Sequence, residues 1–221
     1  MIVIYGTRFY GKVDSHEGQH QLTRFFHIYY VPLIPVSTMW VTRTTDAGYN
    51  GHDVKMSLRS VVAGYARVWG PVAAVGAIAT GSVAGAAAAV GAGALAAWSW
   101  SWRTLRGARE KRRSDFHLLA FGTRCDPLKM DQTLASNLQA AIARRWAEVS
   151  EGSSPEDVAR LGASTPAQAV LAYASLRLAA RLAPGDHARQ ARDASDRILD
   201  AVKDTPALEG GPYRAALPPP P

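Results

Sequence analysis

The segment His16-Glu17-Gly18-Gln19-His20 matches a pattern with known chemistry. On a helix, two histidines four residues apart share one face and can ligate zinc, and the glutamate between them serves as general base in hydrolysis. The local sequence works against a helix. Gly11 and Gly18 carry a backbone-entropy penalty, and Asp14, Ser15 and Gln21 leave no apolar face. The segment therefore reads as a loop between strands, and a metal-dependent enzyme using His16, Glu17 and His20 stands as an alternative function. Cys125, the single cysteine, excludes an intramolecular disulfide and a cysteine-based zinc ribbon. No phosphate-cradling glycine loop and no nucleophile elbow is present. The expectation is a protein with no catalytic residues, no cofactor and no enzymatic activity.

The elements around this loop begin with a β-rich stretch, residues 1–58. Ile2 to Ile4, Phe9 to Val13, Arg24 to Val31 and Met39 to Thr45 have strand composition, separated by Gly11, Gly18, Pro32, Pro35, Gly48 and Gly51. Four or five short strands are expected, forming a domain too small for a large core. Residues 60–102 follow as an apolar region, and no residue from Val68 to Trp102 is charged. A helical hairpin over 60–79 and 83–102 would turn at Thr80-Gly81-Ser82. A single helix over 71–98 is the competing reading. It would be about 42 Å long, against a hydrocarbon core of about 30 Å.

Charge placement favours the hairpin. The chain carries a net charge of +7. Residues 1–60 hold six basic and four acidic side chains, residues 61–113 seven and one, and residues 114–221 twelve and thirteen. The excess therefore sits beside the apolar run. Tyr65, Arg67, Trp69, Trp98, Trp100, Trp102, Arg103, Arg106, Arg109, Lys111, Arg112 and Arg113 make an aromatic and basic border, as expected at a membrane interface with both flanks cytoplasmic. The 103–113 block is also the feature that would serve a soluble nucleic-acid-binding protein, the second alternative. Gly81, Gly85, Ala89, Gly93 and Ala97 recur every four residues, a stripe that permits close helix packing.

The segment Arg24 to Pro35, with its run FFHIYYVPLIP, is preceded by Gly6 and Gly11 and followed by Met39-Trp40-Val41. It resembles the central strands of small bacterial membrane-associated zinc-ribbon proteins, over about residues 5–55. The resemblance implies a β-ribbon scaffold beside a membrane anchor. The two metal knuckles would fall near Asp14 to His20 and Arg43 to Gly48, and neither contains cysteine. His16, His20, Asp46 and His52 are the remaining candidate ligands. His27 is expected to be a strand residue bonded to neighbouring backbone.

Residues 103–130 read as a basic flank and connector. Residues 131–204 read as a helical bundle, with Leu134, Leu138, Ile142, Trp146 and Val149 on one face and starts at Ser154-Pro155, Thr165-Pro166 and Asp186. Residues 205–221 read as a disordered proline-rich tail. The expected whole is an α+β membrane protein: a small N-terminal zinc-ribbon-like β-domain, a transmembrane helical hairpin and a C-terminal α-helical bundle. Its expected place is the bacterial inner membrane, with the soluble parts cytoplasmic. Its expected partners are the lipid bilayer and a protein partner or second copy, without nucleic acid. Its expected role is a membrane-anchored scaffold or adaptor.

Overall fold

The computed structural model describes residues 4–104 and 107–202. Two compact units divide near Arg106. The first begins with an antiparallel meander: β1 (Tyr5–His16), β2 (Gln19–Ile28), β3 (Val31–Thr45) and β4 (Gly48–Val54), paired in sequence order. The strands number four, within the expected four or five, and are longer than their sequence suggests. β1 continues through Gly11, and its register with β2 slips between Tyr10 and Val13. The edge strands approach each other, since the rings of Phe9 on β1 and Tyr49 on β4 lie 5.4 Å apart.

The dense run Arg24 to Val31 is not one strand. β2 ends at Ile28 and β3 starts at Val31, so Tyr29 and Tyr30 form the hairpin turn. Both have positive φ, 48° and 66°. Two-residue turns of this kind match strand twist but favour Asn-Gly, because a Cβ strains the left-handed region. Sequence propensity alone points to a strand here. Tertiary contacts hold the turn instead. Tyr10 Oη donates to the Tyr30 carbonyl at 2.6 Å, the Tyr29 amide donates to the Ile4 carbonyl at 2.8 Å, and the Arg8 guanidinium lies over the Tyr30 ring.

Two helices follow, α1 (Leu58–Ile78) and α2 (Val83–Trp100). Ser57 and Ser82 cap them by accepting from the Ser60 and Gly85 amides. The turn between Ile78 and Val83 excludes a single helix over 71–98. The first turns of α1 lie on the sheet. Ser60 Oγ donates to the Gly11 carbonyl at 2.7 Å and accepts from Thr23 Oγ1 at 2.8 Å. Gly64 faces Phe25 so closely that a Cβ would stand 2.9 Å from its ring. The helix leaves the sheet at the β2–β3 turn, where Tyr65 Oη donates to the Leu33 carbonyl at 2.5 Å and Trp69 Nε1 to the Pro32 carbonyl at 3.2 Å. Pro71, inside the helix, follows directly. Beyond it α1 packs on α2.

The small-residue stripe only partly faces α1. Gly85 and Ala89 are buried, whereas Gly93 and Ala97 are not; Ala96 and Ser99 take over. A step of four residues turns 400°, so a stripe repeated every four drifts about 40° per step, and a straight interface must alternate four with three.

The second unit holds α3 (Ala108–Phe121), α4 (Gln132–Val149), α5 (Pro155–Leu161), α6 (Pro166–Leu182) and α7 (Gly185–Ala201), with a 3-10 turn at Pro127–Lys129. The expected connector is partly helix: α3 runs from the basic block into His117-Leu118-Leu119, because Phe116, His117, Ala120 and Phe121 bury one face. α6 is the central element, with Val170, Leu171, Tyr173, Leu176 and Leu178 buried. Residues 203–221, with the expected tail, lie outside the described residues.

Candidate functional site

The strand-loop reading of His16 to His20 holds. His16 ends β1, Glu17 and Gly18 form the turn at φ 43° and 83°, and His20 lies on β2 with Nδ1 3.1 Å from the Gly18 carbonyl. The helix on which this metal-binding pattern depends is absent. Asp46 lies in the β3–β4 turn and His52 on β4 opposite Trp40. Among the described residues, His16, His20, Asp46 and His52 do not gather into one ligand set. His27 is buried and stacks on Tyr30 at 5.5 Å. Its Nδ1 has no hydrogen-bond partner among the described residues, so stacking takes the place of the expected backbone bond. Cys125 is fully buried, and burial pushes its thiol far above the ordinary range, which makes it inert.

The aromatic and basic border divides. Tyr65, Arg67, Trp69, Trp98, Trp100, Trp102 and Arg103 belong to the base of the hairpin. Arg106 lies outside the described residues. Arg109, Lys111, Arg112 and Arg113 stand on α3 in the second unit, where α7 partly neutralises them. Arg109 pairs with Asp200 at 2.8 Å and Arg113 with Asp196 at 3.1 Å and Glu110 at 2.7 Å. Arg112 Nη1 donates to the Val202 carbonyl. Sequence spacing could not reveal this, because the carboxylates lie over eighty residues away.

Beyond Gly70 the hairpin carries a continuous apolar exterior. Val75, Ile78, Val83 and Val90 are 69 %, 65 %, 90 % and 73 % exposed. The β2–β3 turn adds Tyr29, Tyr30, Leu33 and Ile34, also exposed. The hairpin tip pairs several of its own polar groups. Thr80 Oγ1 donates to the Ala77 carbonyl at 2.8 Å, Ser82 Oγ lies 3.0 Å from Thr80 Oγ1, and the Gly81 amide donates to the Ile78 carbonyl at 3.0 Å.

Below this exterior, a cleft of about 380 Å³ opens between the sheet and the hairpin base. Lys12, Arg67 and Arg103 supply its charge, and Phe9, Tyr49 and Trp100 its aromatic surface. Arg67 is fixed by two backbone acceptors, the Lys12 carbonyl at 2.7 Å and the Ser99 carbonyl at 2.5 Å. The guanidinium carbons of Arg67 and Arg103 lie 5.0 and 5.4 Å from the Trp100 ring centre. Among the described residues no carboxylate lines the cleft. Burial, and then the Arg103 charge, lower the Lys12 pKa. His20, also on the wall, is lowered mainly by burial, against the pull of the Gly18 carbonyl. Sequence reasoning singled out Arg67, Trp100 and Arg103 but missed Lys12, whose neighbours in the chain give no sign of them.

No protein-family model, no curated protein and no solved structure matches this chain.

Proposed function

We propose that the chain is a membrane-anchored, non-enzymatic scaffold or adaptor, held by the α1–α2 hairpin in the bacterial inner membrane with both folded units on the cytoplasmic side. The observation that carries this reading is the apolar exterior beyond Gly70, rooted in a collar of Trp69, Trp98, Trp100 and Trp102. A patch of this size facing water is costly, and aromatic residues at its foot suit a bilayer interface. A pair of folded units on one anchor, without a catalytic constellation, supports a role in holding a protein partner or a second copy. A metal-dependent enzyme on His16, Glu17 and His20 loses the helix its geometry requires. A nucleic-acid arm on residues 103–113 loses the charges of Arg109 and Arg113 to carboxylates of the same unit.

The reach of the hairpin limits how it inserts. Gly70 to Gly81 covers about 17 Å and Gly81 to Ala96 about 22 Å at 1.5 Å per residue, against a hydrocarbon core of about 30 Å. The first turns of α1 are spent on the sheet. The anchor therefore reaches past the midplane without spanning the full core, and the hydrogen bonds within the tip offset part of the cost of burying its turn.

The test places a single cysteine at Ser82 in a Cys125→Ser background, with further cysteines at Ser15 and Ser153, and probes spheroplasts with an impermeant reagent. Sites 15 and 153 should be protected until lysis and site 82 should stay protected even then. Labelling of site 82 in intact spheroplasts would mean a full crossing. A protein recovered in the soluble fraction after a high-salt wash would end the membrane reading.

A further inference from the structure

The cleft at the hairpin base joins features that an oxyanion would satisfy. Lys12, Arg67 and Arg103 bring three positive charges to one wall, and none of them pairs with a carboxylate among the described residues. Arg67 is held by both terminal nitrogens on backbone carbonyls, so its charge is partly desolvated and fixed at the wall with no carboxylate beside it among the described residues. The depressed Lys12 pKa has the same origin, a cation desolvated beside another cation. Both guanidinium groups lie against the Trp100 ring, which holds the two arginine charges beside the cleft.

The depth of the cleft selects the source of the anion. Arg67 precedes Gly70 by three residues, or about 4.5 Å along the helix axis. The headgroup layer outside the hydrocarbon is about 5–7 Å thick on each side. With the hairpin inserted from Gly70 onward, Arg67 stands at the level of lipid phosphates, Lys12 and Arg103 share its cleft, and the Arg103 fork suits phosphate oxygens.

We propose that the cleft formed by Lys12, Arg67, Arg103 and Trp100 binds one phosphate group, supplied by the headgroup of an anionic phospholipid. The lipid source rests on the membrane reading above; the phosphate site does not. The phosphate completes the charge of the hairpin base and fixes the rotation of the anchor relative to the sheet. It also separates this site from diffuse attraction between a basic protein and an acidic surface, because one headgroup saturates it.

The experiment uses the full chain in mild detergent and native mass spectrometry with phosphatidylglycerol or phosphatidylcholine. Calorimetric titration with glycerol 3-phosphate and flotation with pure phosphatidylcholine vesicles accompany it. One phosphatidylglycerol should be retained per chain, and phosphatidylcholine should not. Retention should fall by about tenfold or more in Lys12→Ala/Arg103→Ala, the loss expected from removing charged hydrogen bonds. Arg24→Ala/Arg43→Ala removes the same charge from exposed sites outside the cleft and should leave retention unchanged. Arg67 is left intact because it ties the sheet to α2. An equal loss in both double variants would overturn the site in favour of diffuse attraction. Flotation without cleft-dependent retention would overturn the site while the membrane reading stands. Cleft-dependent binding of glycerol 3-phosphate by a protein that does not float would keep the phosphate site and overturn its lipid source.

Discussion

His117 is a base that the folded chain keeps neutral. It is 2 % exposed, its Nε2 is 2.9 Å from Tyr173 Oη, and burial lowers its pKa to about 4. Asp126 beside it works in the opposite direction, and Arg177 and Arg113 add to the lowering. The unfolded chain binds a proton near pH 6.5 that the folded chain refuses, so stability rises with pH across this window. His117 therefore contributes fully above pH 6.5, and about 3 kcal/mol is lost as the pH falls toward 4. Protection factors of α6 amides in the full chain, corrected for the intrinsic exchange rate at each pH, should fall over that interval, and His117→Phe should flatten the dependence. Next to it, Arg177 is 3 % exposed and holds Asp126 at 2.8 Å, and that pairing keeps the Asp126 carboxyl below the usual range. Arg177→Ala leaves a partly buried carboxylate without its cation and should cost about 1–3 kcal/mol in denaturant unfolding of the second unit.

At the scale of elements, the β2–β3 turn and the α1 contact show what packing demands of local sequence. The left-handed pair Tyr29-Tyr30 carries about 1–3 kcal/mol of strain, which the Tyr10, Arg8 and His27 contacts offset. Replacing the pair by Asn-Gly should raise the melting temperature of the first unit by relieving that strain. If the tyrosines are interfacial, vesicle affinity should fall in the same variant. Gly64 permits the α1–sheet contact, and Gly64→Val, forcing its branches into the Phe25 ring, should destabilise the first unit by about 1–3 kcal/mol. The i, i+4 stripe is a related lesson. Its small residues are visible in sequence, yet which of them meet α1 depends on helix drift, so Gly93→Ala should be neutral. Gly85→Ala should loosen the hairpin, because its Cβ would enter Thr80 Oγ1 and the Ala77 carbonyl. Melting of the two variants in detergent distinguishes them.

At the scale of the whole molecule, the proposed membrane anchoring rests on the exposed apolar exterior. Val75→Asn/Val83→Asn/Val90→Asn replaces three exposed valines on the hairpin, and each loses about 1.5 kcal/mol or more of favourable transfer. The triple variant should shift from the membrane to the soluble fraction with unchanged circular dichroism. Retained membrane association would place the anchor elsewhere. Sequence alone determined the charge-free run with its aromatic border, the α+β order and the helix starts at Ser154 and Thr165, because hydropathy and capping are local, while the choice between hairpin and single helix waited on the turn between Ile78 and Val83. It also exposed the weakness of the His16–His20 pattern, since Gly18 breaks the helix it requires. Only the tertiary structure decided that α1 spends its first turns on the sheet, that Arg109 and Arg113 answer to α7, and that Lys12 joins Arg67 and Arg103. Each depends on residues far apart in the chain, and chain spacing carries no record of the contacts that burial and charge select.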